Sequence, residues 1–254
     1  MAKTIFMSVA GIPDLRIDPS EALDLRAAMV DVIVGPKPSQ RFTIHKGLLR
    51  SNLRKYAFEN LVEEAGDGHK CIILRDHSPA SFKVYVNWLY RRRIPIPVQA
   101  VTTSSEEDVI QDEYVELAKA YSLGCELEDF DFMDAVMDAF MVRAFTKDSK
   151  GRNWAPSYKA VNLIEGSSYN HEAIEFLGDL YIRFGNDVHW HTEMTNVCKT
   201  FSHELARKLL ESRKEGKNGD DILKDTCKHH FHSNRSCYRD QLTAEHMDKG
   251  QEEN

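Results

Sequence analysis

Val30, Val32 and Val34 alternate with Asp31 and Ile33, and Gly35-Pro36 closes the run. Alternation of period two ended by turn residues predicts a half-buried strand. Arg41–Ile44 predicts a second strand after a loop with two prolines, a spacing that suits a hairpin. Cys71–Leu74 predicts a third, led in by the turn Gly66-Asp67-Gly68. Helical patterning lies between them at Leu48–Phe58, and a weaker amphipathic stretch at Glu21–Met29 suggests a short helix before the first strand.

The period then changes. Ser78 can cap a helix and Pro79 fits its first position, where a missing N–H costs nothing. Phe82, Tyr85, Val86 and Leu89 follow on one face, widened by Trp88. Residues 97–107 lack periodicity and read as a loop. Tyr114, Leu117, Ala118 and Tyr121 predict the next helix, with Gly124 as its C-terminal stop. Phe130, Met133, Val136, Met137, Phe140 and Met141 predict another, and methionine at this spacing is core material. The polar stretch 146–153 is the best linker in the chain. Three amphipathic helices follow it, carried by Tyr158/Val161/Ile164, by Ala173/Leu177/Leu180/Tyr181/Phe184 with Gly185 as terminator, and by Phe201/Leu205/Leu209. From Glu215 the chain turns polar, and a charged tail from about Tyr238 has the composition of disorder. The expected organisation is an N-terminal segment 1–28, an α+β domain 29–145, a helical region 154–214 and a polar tail 215–254. No internal repeat is present.

Composition narrows the function classes. The 254 residues are 42% apolar and 29% charged, ordinary for a globular protein. A net charge of −7 argues against direct nucleic-acid binding, since only Arg91-Arg92-Arg93 resembles a basic patch. No eighteen apolar residues run together, so no membrane span is expected. The apolar stretch Ile5–Ala10 is shorter than a secretory core, and five cysteines (71, 125, 198, 227, 237) are an odd, scattered set. Free thiols in an intracellular compartment, cytoplasm or nucleus, are the expectation.

The sharpest chemical candidate is the run from Cys227 to Cys237. Thiolate and imidazole are the ligands zinc prefers, and Cys227, His230, His232 and Cys237 could make a closed tetrahedral structural site, with His229 as the rival of His230. Such a site is worth on the order of 10 kcal/mol, enough to fold a segment too polar to fold by burial. The alternative is a solvated His-rich tail with two free thiols. Other signals are weaker. His45 reads as a structural, hydrogen-bonded histidine. His189-Trp190-His191 has no third ligand close by in sequence. His203-Glu204 begins like a zinc-protease helix, but Arg207 stands where the second histidine is needed. Neither a phosphate-cradling glycine loop nor a nucleophile elbow is present, so no catalytic residue is assigned.

Several stretches, in order, resemble the BTB/POZ domain: Val30–Val34, then Phe42-Thr-Ile44-His45-Lys46-Gly-Leu48-Leu49, then Leu74-Arg-Asp76-His-Ser78-Pro79 with Phe82 and Trp88-Leu89-Tyr90, then Tyr114–Tyr121. Past the linker, Leu180-Tyr181, Glu204-Leu205-Ala206-Arg207 and the Cys227/His230/His232/Cys237 run resemble the fungal group of these proteins. The resemblance implies a BTB/POZ fold, a small mixed sheet covered by helices, followed by an all-helical C-terminal extension. It also implies a homodimer that holds protein partners, in many members a substrate adaptor for a cullin-RING ubiquitin ligase. Asp31 and Lys46 match positions of a charged pocket near the dimer groove in some members. Phe82 and the residue after it match the cullin-contacting position, where cullin-binding members carry an acid and this chain has Lys83. Reversing a charge at a desolvated interface is costly, which weakens the cullin reading. A zinc sensor or metal-dependent enzyme built on the C-terminal cluster is the alternative, and a transcriptional co-regulator is a third reading.

Overall fold

The structure is a computed structural model that describes residues 28–49, 62–64, 70–96, 106–185, 196–215, 226–231 and 237–239. Four strands, β1 (Met29–Val34), β2 (Gln40–His45), β3 (Val62–Glu64) and β4 (Lys70–Leu74), form one mixed sheet in the order β2-β1-β4-β3. β1 and β2 make the expected antiparallel hairpin, with Val32 opposite Phe42 and Asp31 opposite Thr43. β4 lies parallel to β1, with Val34 beside Leu74, and β3 pairs antiparallel to β4. β3 has only three residues, too few for alternation to show in sequence. Val30, Val32 and Val34 are buried, as the pattern predicts. Gly35 leaves β1 at φ +90°, where a side chain would be strained, and its N–H donates to the Leu74 carbonyl at 2.9 Å. The helix read at Leu48–Phe58 falls largely outside the described residues, as does the stretch before Ala28; only a 3-10 turn, Lys46–Leu48, is seen there.

Six α-helices follow among the described residues: α1 (Pro79–Arg91), α2 (Glu106–Glu126), α3 (Phe130–Phe145), α4 (Tyr158–Glu165), α5 (His171–Phe184) and α6 (Lys199–Glu215). Ser78 caps α1 by accepting from the Ser81 N–H at 3.0 Å, with Pro79 in the first turn. Phe82, Tyr85, Trp88 and Leu89 are buried, each worth roughly 1.5–3 kcal/mol. None of the helices in the described residues is long and apolar enough to cross a membrane.

Three sequence expectations need correction. Gly124 does not stop α2, which runs on to Glu126; the chain turns instead through Glu128 at φ +51°. Gly124 is needed for a different reason. A Cβ there would lie 2.8 Å from the Met133 Cγ and 3.1 Å from the Phe132 Cδ1, so its absence lets α2 and α3 approach. Second, residues 146–153 are a packed turn and not a loose linker. The buried Asp148 carboxylate accepts from the backbone N–H of Lys150 (2.9 Å) and of Arg152 (2.7 Å) and from the Trp154 indole N–H (3.0 Å). Burial would raise this carboxyl, but the donors outweigh it and hold it well below the usual carboxylate range. Third, the buried face of α6 is Phe201, Leu205 and Lys208, while Leu209 is 38% exposed. Lys208 lies on i+7 from Phe201 and reaches Asp179 on α5 at 2.5 Å.

The C-terminal helices share the core of the sheet domain. The Tyr114 hydroxyl on α2 donates to the Trp154 carbonyl at 2.7 Å, and the Tyr121 hydroxyl to the Tyr169 carbonyl at 2.8 Å. Gln111 brackets the segment between, donating to the Ala155 carbonyl (3.0 Å) and accepting from the Ser157 N–H (2.7 Å). One contiguous apolar cluster runs from Val30 on β1 through α1, α2 and α3 to Phe201 on α6, and ends at Cys237 and Tyr238.

Candidate functional site

Residues 226–231 and 237–239 lie against the part of α3 that the sequence would leave bare. α3 is mostly apolar, yet carries Asp134 and Asp138 one turn apart on one face. A carboxylate in such a helix must find donors or stay solvated. Here the donors come from about 100 residues further on. The Phe231 N–H donates to Asp134 Oδ1 at 2.7 Å. Asp138 accepts from His230 Nε2 at 2.8 Å and from Arg239 Nε at 2.7 Å, and also from the Tyr238 hydroxyl and a second guanidinium nitrogen of Arg239. Burial would raise the Asp138 carboxyl; these donors win and bring it down to about 2.

Around these bonds the segment packs as well. The Phe231 ring sits 4.6 Å from Phe130 and 5.3 Å from Tyr169, and Tyr238 meets Trp88 edge-on at 5.8 Å. His229 is buried 4.9 Å from the Phe176 ring on α5, and burial pushes its imidazole down to about 4. Lys228 reaches Asp179 at 3.1 Å. Tyr238 is therefore not the start of a disordered tail, and the His-rich run is anchored at both of its described ends.

The 3-10 turn Thr226–His229 is followed by a bond from the His230 N–H to the Cys227 carbonyl at 3.1 Å, which brings the two residues back together. His230 Nδ1 then stands 3.9 Å from Cys227 Sγ and 3.4 Å from Cys237 Sγ. One ligand atom from each of the three lies within 4.8 Å of the other two. Three of the four residues read as zinc ligands thus meet; His232 lies outside the described residues. The rival His229 is turned away into the core beside α5. An ionised Asp138 can only accept, so Nε2 carries a proton toward it and Nδ1 faces the two sulfurs. Burial pushes the Cys237 thiol up to about 11.

The interaction residues are dispersed. Asp31, half-buried on β1, accepts from the Thr43 hydroxyl at 2.6 Å and from Arg41 at 3.3 Å, both on the neighbouring strand. Lys46 is exposed. Phe82 is buried against Phe42, centroids 4.9 Å apart, so of the pair on α1 only Lys83 faces outward. His45 is half-buried with Nδ1 2.7 Å from the Tyr90 hydroxyl, the structural role its sequence context suggests. Glu204 is held by Arg207 at 2.9 Å, and His189-Trp190-His191 falls outside the described residues. The sequence reading missed Asp134 and Asp138; their signal was acid inside an apolar helix. No protein-family model, no curated protein and no solved structure matches the chain.

Proposed function

We propose that this chain is a protein-interaction module of the BTB/POZ type, which dimerises and holds other proteins, with the C-terminal helices as part of the same rigid platform. The observation that supports the reading most is the meeting of two of the stretches that carry the resemblance. Phe42 and His45, from the one that begins at Phe42, touch Phe82 and Tyr90, from the one that begins at Leu74, at ring separations of 4.9 and 5.9 Å. A small mixed sheet followed by the Ser78-capped α1 is compatible with the mixed sheet and helices that the resemblance implies. The role is adaptor-like: a partner is gripped by surface and nothing is chemically changed.

Light scattering of the full chain at tens of micromolar should give twice the 29.1 kDa chain mass; monomer alone would refute the dimer. The cullin half turns on Lys83. Against a cullin N-terminal domain, Lys83→Glu should bind at least tenfold tighter than the natural chain, about 1.4 kcal/mol. Absence of binding by both proteins would remove the ligase role and leave a scaffold for other partners.

A further inference from the structure

We propose that Cys227, His230 and Cys237 bind one zinc ion, and that this ion staples the C-terminal segment onto helix α3. In a tetrahedral site with Zn–S near 2.3 Å and Zn–N near 2.0 Å, sulfur and nitrogen ligands stand about 3.5–3.6 Å apart. The observed separations from His230 Nδ1, 3.4 and 3.9 Å, bracket that value. Two sulfurs and one imidazole nitrogen are a donor set that selects zinc over magnesium or calcium, which take oxygen.

The second observation lies on the far side of the histidine ligand. His230 presents its other nitrogen to Asp138 at 2.8 Å. Histidines on zinc characteristically donate their distal N–H to a carboxylate, which fixes the tautomer and ring orientation. Asp138 is thus a positioning residue, anchored on a helix of the core. On binding, the two thiols release their protons to solvent and His230 binds neutral, so the two thiolates cancel the charge of the ion. Three protein donors leave one tetrahedral position for a fourth. The staple reinforces a segment that is joined to α3 through Asp134 and Asp138.

The test uses the full chain, expressed without a histidine tag, kept reduced, and titrated with zinc or cobalt chloride. One equivalent of zinc per chain should survive dialysis. The cobalt form should show a thiolate-to-cobalt charge-transfer band together with the intense visible bands of a tetrahedral ion. Cys237→Ser should weaken binding roughly a hundredfold or more, and Asp138→Asn by about 10–100-fold. Tyr238→Phe removes another partner of Asp138 without touching His230, and should leave affinity within a few-fold. Less than a tenth of an equivalent of zinc, or a cobalt adduct without the thiolate band, overturns the proposal. Both readouts apply to the natural chain, so they decide even if a variant fails to fold. They are also separate from the dimer and cullin measurements.

Discussion

Gly124→Ala sets two effects of known size against each other. In a helix interior alanine is better than glycine by about 0.8–1 kcal/mol. At this site, however, the new Cβ would stand 2.8 Å from the Met133 Cγ and 3.1 Å from the Phe132 Cδ1. Both neighbours are fully buried and cannot swing into solvent. Overpacking of this kind costs about 1–3 kcal/mol. The clash should win, with a net loss of about 1 kcal/mol, and Gly124→Val should lose about 3 kcal/mol or more. Urea unfolding with an unchanged slope would read the difference as a shift in midpoint. Met133→Ala supplies the control. Alone it should cost about 2–5 kcal/mol, but in its background Gly124→Ala should become neutral or stabilising by about 1 kcal/mol. If Gly124→Ala stabilises the natural chain by the helix-propensity increment, α2 and α3 do not pack this closely and the account of Gly124 is wrong.

Other perturbations test the remaining joints. Tyr114→Phe leaves the Trp154 carbonyl without its 2.7 Å donor in a buried site, and should lower unfolding free energy by about 1–3 kcal/mol in the same urea assay; an unchanged midpoint would mean that the turn is not held by this bond. Lys208→Met keeps the buried stem but removes the ammonium 2.5 and 3.5 Å from Asp179 and Glu175, leaving Asp179 with Lys228 at 3.1 Å, for an expected loss of about 1–3 kcal/mol. Adding Asp179→Asn should recover part of that loss, and no recovery would count against the pair. His77 gives a pH signature. Burial lowers its folded pKa below 6.5, outweighing the nearby Glu126 and Asp76 carboxylates. The unfolded chain therefore takes up the proton first, so this contribution is intact above pH 6.5 and is lost as pH falls below it. Thermal scans of His77→Gln should show a shallower loss between pH 6.5 and 5 than the natural chain, and identical slopes would exclude the assignment.

What was legible in the sequence follows the range of the interactions. The α1 start was readable because Ser78, Pro79 and the face beginning at Phe82 all act within a few residues. The β1–β2 hairpin was readable for the same reason. The face of α6 was not, because Leu209 and Lys208 are one step apart on the helix and only the carboxylates of α5 decide which turns inward. The 146–153 stretch looked like a linker because its residues are polar, yet Asp148 gathers those same polar groups into a closed turn. In the C-terminal run, ligand chemistry alone picked out Cys227, His230 and Cys237. Their anchor could not be found that way, since Asp138 is joined to Tyr238 across a separation of 100 residues.

That separation has a consequence for synthesis. Chains leave the ribosome at about 5–20 residues per second, and 100 residues part Asp138 from Tyr238. For roughly 5–20 s, Asp138 has only water where His230, Tyr238 and Arg239 will later donate. A chain released before residue 230 would lack those donors altogether. The last described residues therefore complete the fold late: their arrival supplies the donors that Asp134 and Asp138 accept from.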